Sequence, residues 1–417
     1  MTGLEHLEQG MRLSVKNVTT KDINAAIGHF EEAVRQGVAD AHYHLGRIHL
    51  LGDTVEKDEF LALDHHRVGA SLGSVKCMVA LGVQLTRTDS PDKDKEEAQR
   101  LFDSAYGPLL EEARGGDVCA MYLVGRCHYD GLSVKPDLLK ALEWLKNASD
   151  HGYSDALYML GMILEKQEAE RDHVMDLYER AARMGHPYAR YALGADALER
   201  KVWPKAVMYL EQAAQDGYVL AQHTLGVHYH DHEPDKPMKA YKWFLEAAMR
   251  GHADAQYHVG LYNQTGKGVP QDLDSALDWY GKAARQMDKN ALYHLALLMI
   301  KRPDPDYKTI RTLLEQAAVR DHPHAMYNLG VMYQRGDGVD RDDLMAFRWY
   351  EKAALAGLAK AQYNLGMMYH NGLGVPPDED KALEWWKKAA DQGLEEARSL
   401  VVSIENGRVL NNSPWTS

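Results

Sequence analysis

Residues 325–360 read "AMYNLGVMYQRGDGVDRDDLMAFRWYEKAALAGLAK", and residues 361–396 read "AQYNLGMMYHNGLGVPPDEDKALEWWKKAADQGLEE". A chain that writes one text twice in succession builds one supersecondary unit and stacks the copies. A single copy cannot bury its apolar face alone, whereas stacked neighbours bury it for each other. Sliding the chain on the small residue that opens AxYxLG finds openings at Ala41, Cys77, Ala120, Ala156, Ala189, Ala221, Ala255, Ala291, Ala325 and Ala361, with gaps of 32 to 43 residues. A half-copy starts at Ala397, and "DINAAIGHFEEAVRQGVAD" precedes the first opening as an isolated second half. Residues 1–40 are therefore read as one divergent unit, which brings the expected total to about eleven. This periodicity overrides any domain count taken from length.

Each unit reads as two helices. Ala361, Leu365, Met368 and Tyr369 form a stripe at positions 0, 4, 7 and 8 of a first helix. Gly372 and Gly374 then supply a turn, and Asp378 or Asp380 is placed to cap a second helix. That second helix carries Ala382, Trp385, Ala389 and Ala390, with Gly393 where a left-handed residue ends a helix. The pattern returns as Ala346, Trp349, Ala353, Ala354 and Gly357, as Ala240, Trp243, Ala247, Ala248 and Gly251, and as Ala141, Trp144, Ala148 and Gly152. Small residues let helices approach, and Trp and Tyr fill the gaps.

AxYxLG, the GxGV turn and KAxxWxxKAAxxG together closely resemble the Sel1-like repeat family, relatives of tetratricopeptide repeats, over most of the chain. The resemblance implies an all-α, right-handed α-α superhelical solenoid of helix-turn-helix repeats that acts as an adaptor for protein complexes. The solenoid is expected over 1–404, with 397–404 as a C-terminal capping helix and 405–417 as a disordered tail. The units opening at Ala156, Ala189, Ala221 and Ala291 lack the glycine turn. The unit at Cys77 carries the polar turn "RTDSPDKDKEE" and an additional "PLLEEARGGD", so irregular geometry is expected across 77–119.

Composition narrows the function. The net charge is -13, and basic residues alternate with acids as in "KDKEEAQR", the pattern of a solvated helix face. A surface of this sign repels phosphate backbones, so no nucleic-acid partner is expected. "MTGLEHLEQGMRLSVK" does not read as a signal peptide, and no run approaches the ~18 apolar residues of a membrane span. Cys77, Cys119 and Cys127 are the three cysteines. Cys119 and Cys127 would sit ~12 Å apart on one helix, beyond disulfide reach. A reducing, cytoplasmic compartment, a monomer and no membrane insertion are the expectation.

Candidate chemistry is thin. "GASLG" at Gly69–Gly73 fits the nucleophile-elbow spelling, but the repeat register accounts for each letter and no strand precedes Ser71. "HYHDH" places His228 and His232 on one helix face and His230 on the other, and the further ligands of a closed zinc site are not visible. A cysteine-rich secreted branch of the resembled family is known for β-lactam binding or hydrolysis, but its cysteine pairs are missing here. A hydrolase grafted on the solenoid is the alternative to a non-enzymatic scaffold. No catalytic residue, metal or cofactor is assigned.

On a helical wheel, positions 2, 6 and 9 of the first helix lie opposite the buried stripe. In the resembled solenoids that side lines the concave groove. Position 2 is tyrosine in Tyr43, Tyr122, Tyr158, Tyr191, Tyr257, Tyr293, Tyr327 and Tyr363. Position 3 adds His44, His258, His294, Asn328 and Asn364, and later positions add Arg47, Arg126, Tyr129, Arg335 and His370. Such side chains suit recognition of a protein or peptide segment. The same tyrosines would also recur if they only packed adjacent repeats.

Overall fold

The computed structural model describes residues 1–14, 20–51, 58–86 and 94–405. Every regular element among them is an α-helix, and the chain divides into two compact units, Met1–Pro234 and Asp235–Ser417. The first unit holds six antiparallel hairpins: α1 (Gly3–Leu13) with α2 (Thr20–Arg35), α3 (Asp40–Leu51) with α4 (Glu59–Ser71), α5 (Val75–Thr86) with α6 (Lys95–Arg114), α7 (Val118–Asp130) with α8 (Leu138–Asp150), α9 (Ser154–Lys166) with α10 (Arg171–Arg183), and α11 (Pro187–Glu199) with α12 (Trp203–Gln215). It ends on α13 (Val219–His232). The second unit opens on α14 (Pro237–Met249). It continues with α15 (Ala253–Thr265) and α16 (Leu273–Arg285), α17 (Lys289–Ile300) and α18 (Tyr307–Ala318), α19 (Pro323–Arg335) and α20 (Asp343–Leu355), and α21 (Ala359–Asn371) and α22 (Glu379–Asp391), and closes on α23 (Glu395–Glu405). Of the tail expected over 405–417, Glu405 ends α23 and 406–417 lie outside the described residues, as does the part of the polar turn at 87–93.

Local chemistry sets the helix ends. Asp378, not Asp380, caps α22 by accepting from the Lys381 N–H at 3.0 Å. Gly372 and Gly374 take φ of 69° and 67°, and Gly374 packs against the backbone of Asp343 and Leu344 at the start of the previous second helix. The GxGV turn therefore does two jobs: it ends α21 and it docks on the preceding repeat. The additional residues near 108–117 lengthen α6 to 20 residues, against 13 in α8.

The contact that organises most hairpins is a glycine at position 5 of the first helix facing a large side chain of the second; in α17–α18 Ala296 takes that place. A Cβ on Gly330 would stand 2.6 Å from the Tyr350 ring, one on Gly260 2.7 Å from Tyr280, and one on Gly366 2.5 Å from Trp386. Phe30, Phe102, Leu145, Tyr178 and Leu210 fill the same place against Gly10, Gly82, Gly125, Gly161 and Gly194. This corrects one expectation. The side chain in the centre of the hairpin is the residue after the repeated tryptophan, so Trp386 and Tyr350 are fully buried. Trp385 and Trp349 are half-buried, with the ammonium groups of Lys388 and Lys352 lying 4.1 and 4.4 Å from their ring centres.

A second contact couples neighbours. Gln362 donates to the Ala354 carbonyl of the preceding second helix at 3.2 Å and accepts from Gln392 of its own second helix at 2.8 Å. Gln256 repeats this with Ala248 at 3.1 Å and Gln286 at 2.9 Å. Arg190 does so with Ala182 at 3.2 Å and pairs with Asp216. Each bond satisfies one of the carbonyls a helix end leaves without an intrahelical partner.

Gly330→Ala forces a methyl group into the Tyr350 ring. Overpacking of this kind costs about 1–3 kcal/mol, and a urea melt of the variant is expected to show that loss with helix content retained.

Candidate partner-binding face

The residues singled out on the first helices occupy three kinds of place. Position 3 packs against the large second-helix side chain of the preceding repeat. His44 stacks on Phe30 with centroids 4.9 Å apart, His258 on Phe244 at 4.3 Å, and His294 lies 5.4 Å from Tyr280. Asn364 is 6% exposed, and its amide tempers the rise in pKa that burial gives Tyr350. Asn328 does the same for Tyr293. Position 3 thus faces the junction between repeats, and Asn364 is not presented to solvent.

Position 2 forms an aromatic ladder. Tyr158 stacks on His186 at 4.7 Å, Tyr293 on His322 at 4.5 Å, and Tyr122 and Tyr191 lie 5.2 and 5.1 Å from Tyr153 and Tyr218. Tyr257 lies 5.5 Å from His294, and Tyr327 lies 5.6 Å from Tyr350. Most of these contacts cross from one repeat to the next. Tyr43 is fully covered at 3% exposure, whereas Tyr122, Tyr158, Tyr191, Tyr257, Tyr293, Tyr327 and Tyr363 each keep an edge exposed. Beyond them, Arg335 is exposed and Tyr129 is half-buried. Arg126 pairs with Asp130 at 3.2 Å, and His370 bonds Glu379 at 2.7 Å.

The first unit adds a charge network that the sequence reading did not find. Lys76 donates to Asp40 at 2.6 Å and Asp117 at 2.8 Å and stands 3.4 Å from Glu112. Arg47 reaches past two repeats to the Tyr153 hydroxyl and the Asp155 carboxylate, both at 3.0 Å, and His186 lies 3.5 Å from Asp155. Burial opposes each of these charges, but the partners prevail. Arg47 and then His186 hold the Asp155 carboxyl below the ordinary carboxylate range. Asp40, with Cys119 and Asp117, keeps Lys76 above the ordinary lysine value. A sequence signal existed for one pair: Asp40 and Lys76 both occupy position -1, the residue before the opener, in adjacent repeats. Opposite charges at one register of a stacked array are placed to pair.

The two motifs weighed for chemistry resolve into packing. Ser71 lies in the last turn of α4, donating to the Val68 carbonyl at 2.7 Å. His228 and His232 stack on each other at 5.3 Å and against Trp203 at 5.6 and 4.7 Å. Cys77, Cys119 and Cys127 are buried free thiols, and burial pushes Cys77 and Cys127 up to about 12. A cleft of about 400 Å³ beside α9, α10 and α11 is lined by Glu165, Arg171, Asp196, Glu199 and aliphatic side chains; neither a serine, a cysteine nor a histidine lines it.

Hairpins of this construction, stacked through an aromatic ladder, define a helical-repeat protein. The Sel1 repeat model matches residues 16–38, 39–74, 120–153, 154–186, 187–218, 219–252, 253–286, 323–358 and 359–394, so the chain belongs to the Sel1 repeat family. The stretches between matches contain the elongated α6 and the α17–α18 hairpin. A crystal structure of a protective antigen of uropathogenic Escherichia coli with an SLR fold is 26% identical and covers 98% of this chain and 88% of its own, with a TM-score of 0.65. The chitin synthase regulator SKT5 of Saccharomyces cerevisiae is 27% identical over 63% of this chain and 35% of its own length. The DAP3-binding cell death enhancer 1 of Rattus norvegicus is 29% identical over 48% of this chain and 44% of its own. The chain thus spans between a third and a half of these curated relatives. No described helix is long and apolar enough to cross a membrane.

Replacing Arg47 by Met leaves Asp155 without its principal partner. A charged hydrogen bond lost in this way costs about 1.5–3 kcal/mol, which chemical denaturation of the variant is expected to show. Acid should act more broadly. Burial, ahead of neighbouring charges, lowers His44 to about 3 and His65 and His322 to about 4, and it also lowers His42, His66, His128, His228 and His294. Unfolded histidine titrates near ~6.5, so the unfolded chain binds more protons below that pH. Stability is expected to be full above it and to fall progressively toward pH 4, measured as a declining urea midpoint.

Proposed function

We propose that this protein is a non-enzymatic scaffold that holds a segment of a partner protein on the first-helix face of its repeats, with the second unit contributing most. The observation that carries this reading is the run of half-buried Tyr257, Tyr293, Tyr327 and Tyr363 on successive first helices, with Arg335 exposed beside it. Tyr and Arg are the side chains that anchor protein interfaces, because each combines apolar area with a directional donor. The Arg47–Asp155 and Lys76–Asp40 pairs satisfy much of the polarity of the first unit's face internally, which favours the second unit. Names among the relatives point the same way: a regulator of chitin synthase and a DAP3-binding protein. The reading is of a cytoplasmic monomer whose partner is a protein or peptide and not a nucleic acid.

Photo-crosslinking from Arg335 and Tyr363 in the native cell, followed by mass spectrometry, tests this. The same crosslinker at exposed Met238 and Leu355 on second helices is the control. Adducts to one protein from the first-helix sites, and not from the controls, are expected. With that partner in hand, Arg335→Ala is expected to weaken binding about tenfold, or roughly 1.4 kcal/mol, with an unchanged melting temperature. Adducts from the second-helix sites alone would place binding on the opposite face.

A further inference from the structure

The first two hairpins share a contact that the later ones do not have. Position 1 of the first helix and the residue three after the second helix's opening alanine are Met121 and Trp144, Gln256 and Trp279, or Met326 and Trp349 in later repeats. In the hairpins α1–α2 and α3–α4 these places hold His6 with His29 and His42 with His65, so that both members recur 36 residues apart. The Nδ1 atoms face each other at 2.9 Å in the first pair and 3.1 Å in the second. Ring centroids lie 5.2 and 5.3 Å apart, with planes tilted by 40° and 48°. One geometry produced twice, at the same register, is a property of the hairpin and not of one local environment.

We propose that His6–His29 and His42–His65 form a tandem of two-imidazole sites for a divalent transition metal of the Cu²⁺ or Ni²⁺ class. Two nitrogens 2.9–3.1 Å apart, each about 2.0–2.1 Å from a shared ion, subtend about 90–100° at it. That is the angle between adjacent ligands in square-planar or octahedral coordination, and it is narrower than tetrahedral zinc adopts. Imidazole is a suitable donor for these ions. Without metal, one ring of each pair donates its Nδ1–H to the Nδ1 of the other. Binding moves that proton to Nε2 of the same ring and frees both Nδ1 lone pairs, with no net change in protonation. The His49 ring stacks on His65 with centroids 5.9 Å apart and walls one side of the second site. His65, His6 and His29 are each half-exposed, which leaves the ion a path from solvent and positions for water. Because each pair joins the first helix of a hairpin to the second, a bound ion would clip that hairpin shut.

Calorimetric titration of the full chain with CuCl₂ and NiCl₂ at neutral pH tests this, read as the difference between the natural protein and its variants, since other histidines such as His228 and His232 add background. The variants are His42→Met with His65→Trp, and His6→Met with His29→Trp, which borrow the residues of the α7–α8 hairpin. Each is expected to lose one equivalent of bound metal, and their combination two. The natural protein should melt several degrees higher with Ni²⁺, a rise that shrinks with each pair removed. If circular dichroism shows a double variant unfolded, His65→Gln and His29→Gln supply the same comparison. An unchanged number of equivalents overturns the proposal and leaves the pairs as hydrogen-bonded imidazoles only.

Discussion

The close approach in most hairpins, a glycine of the first helix against a large side chain of the second, sets the spacing on which everything else rests. Gly330 on Tyr350 and Gly366 on Trp386 leave no room for a methyl group. The ring gains contact over its face, and the helices come near enough for paired alanines such as Ala353 and Ala354 to be buried alongside. The hydroxyl of that ring is then satisfied within the hairpin: Tyr350 donates to Gln334 at 2.7 Å and Tyr280 to Gln264 at 2.6 Å. A single contact thus specifies depth, rotation and register together. Where the ring is replaced, as by Leu145 or Leu210, it is the tyrosine's hydrogen bond that disappears.

Coupling between repeats uses different atoms. Gln362, Gln256 and Arg190 take the last carbonyls of the previous second helix and tie them to the end of their own. The tyrosine ladder adds apolar contact along the same junctions. In a stacked array, stability is the sum of such hairpin and junction terms. The proposed partner-binding face is therefore built from residues that also hold the array together. A tyrosine with one edge in a junction and one edge in solvent is held rigid, which lowers the entropy lost when a partner binds.

Charge divides the labour along the chain. In the first unit, Arg47 and Asp155 join residues 108 apart in sequence, and Lys76 gathers carboxylates from both neighbouring repeats. Pairs of this kind gain little net stability over apolar packing but penalise any arrangement that leaves one charge buried alone. The second unit's face instead keeps Arg335 in solvent beside the tyrosines.

The repeat, the two-helix unit, the capping role of Asp378 and the glycine turns were legible in the sequence, because each depends on residues within about 36 positions whose spacing is fixed by helix geometry. The wheel also placed the tyrosines on one face. It could not divide their edges between junction and solvent, and it assigned Trp385 a place that Trp386 fills, because adjacent residues on a helix differ by 100° and only the partner helix decides which one points inward. Asn364 looked available for the same reason: a single helix shows which way a side chain leaves, but not that Tyr350 of the previous repeat is waiting for it. Sequence alone determined what this chain stacks. The tertiary structure decided which polar groups the stack consumes and which it leaves exposed, since that depends on distances between residues as far apart as Arg47 and Asp155.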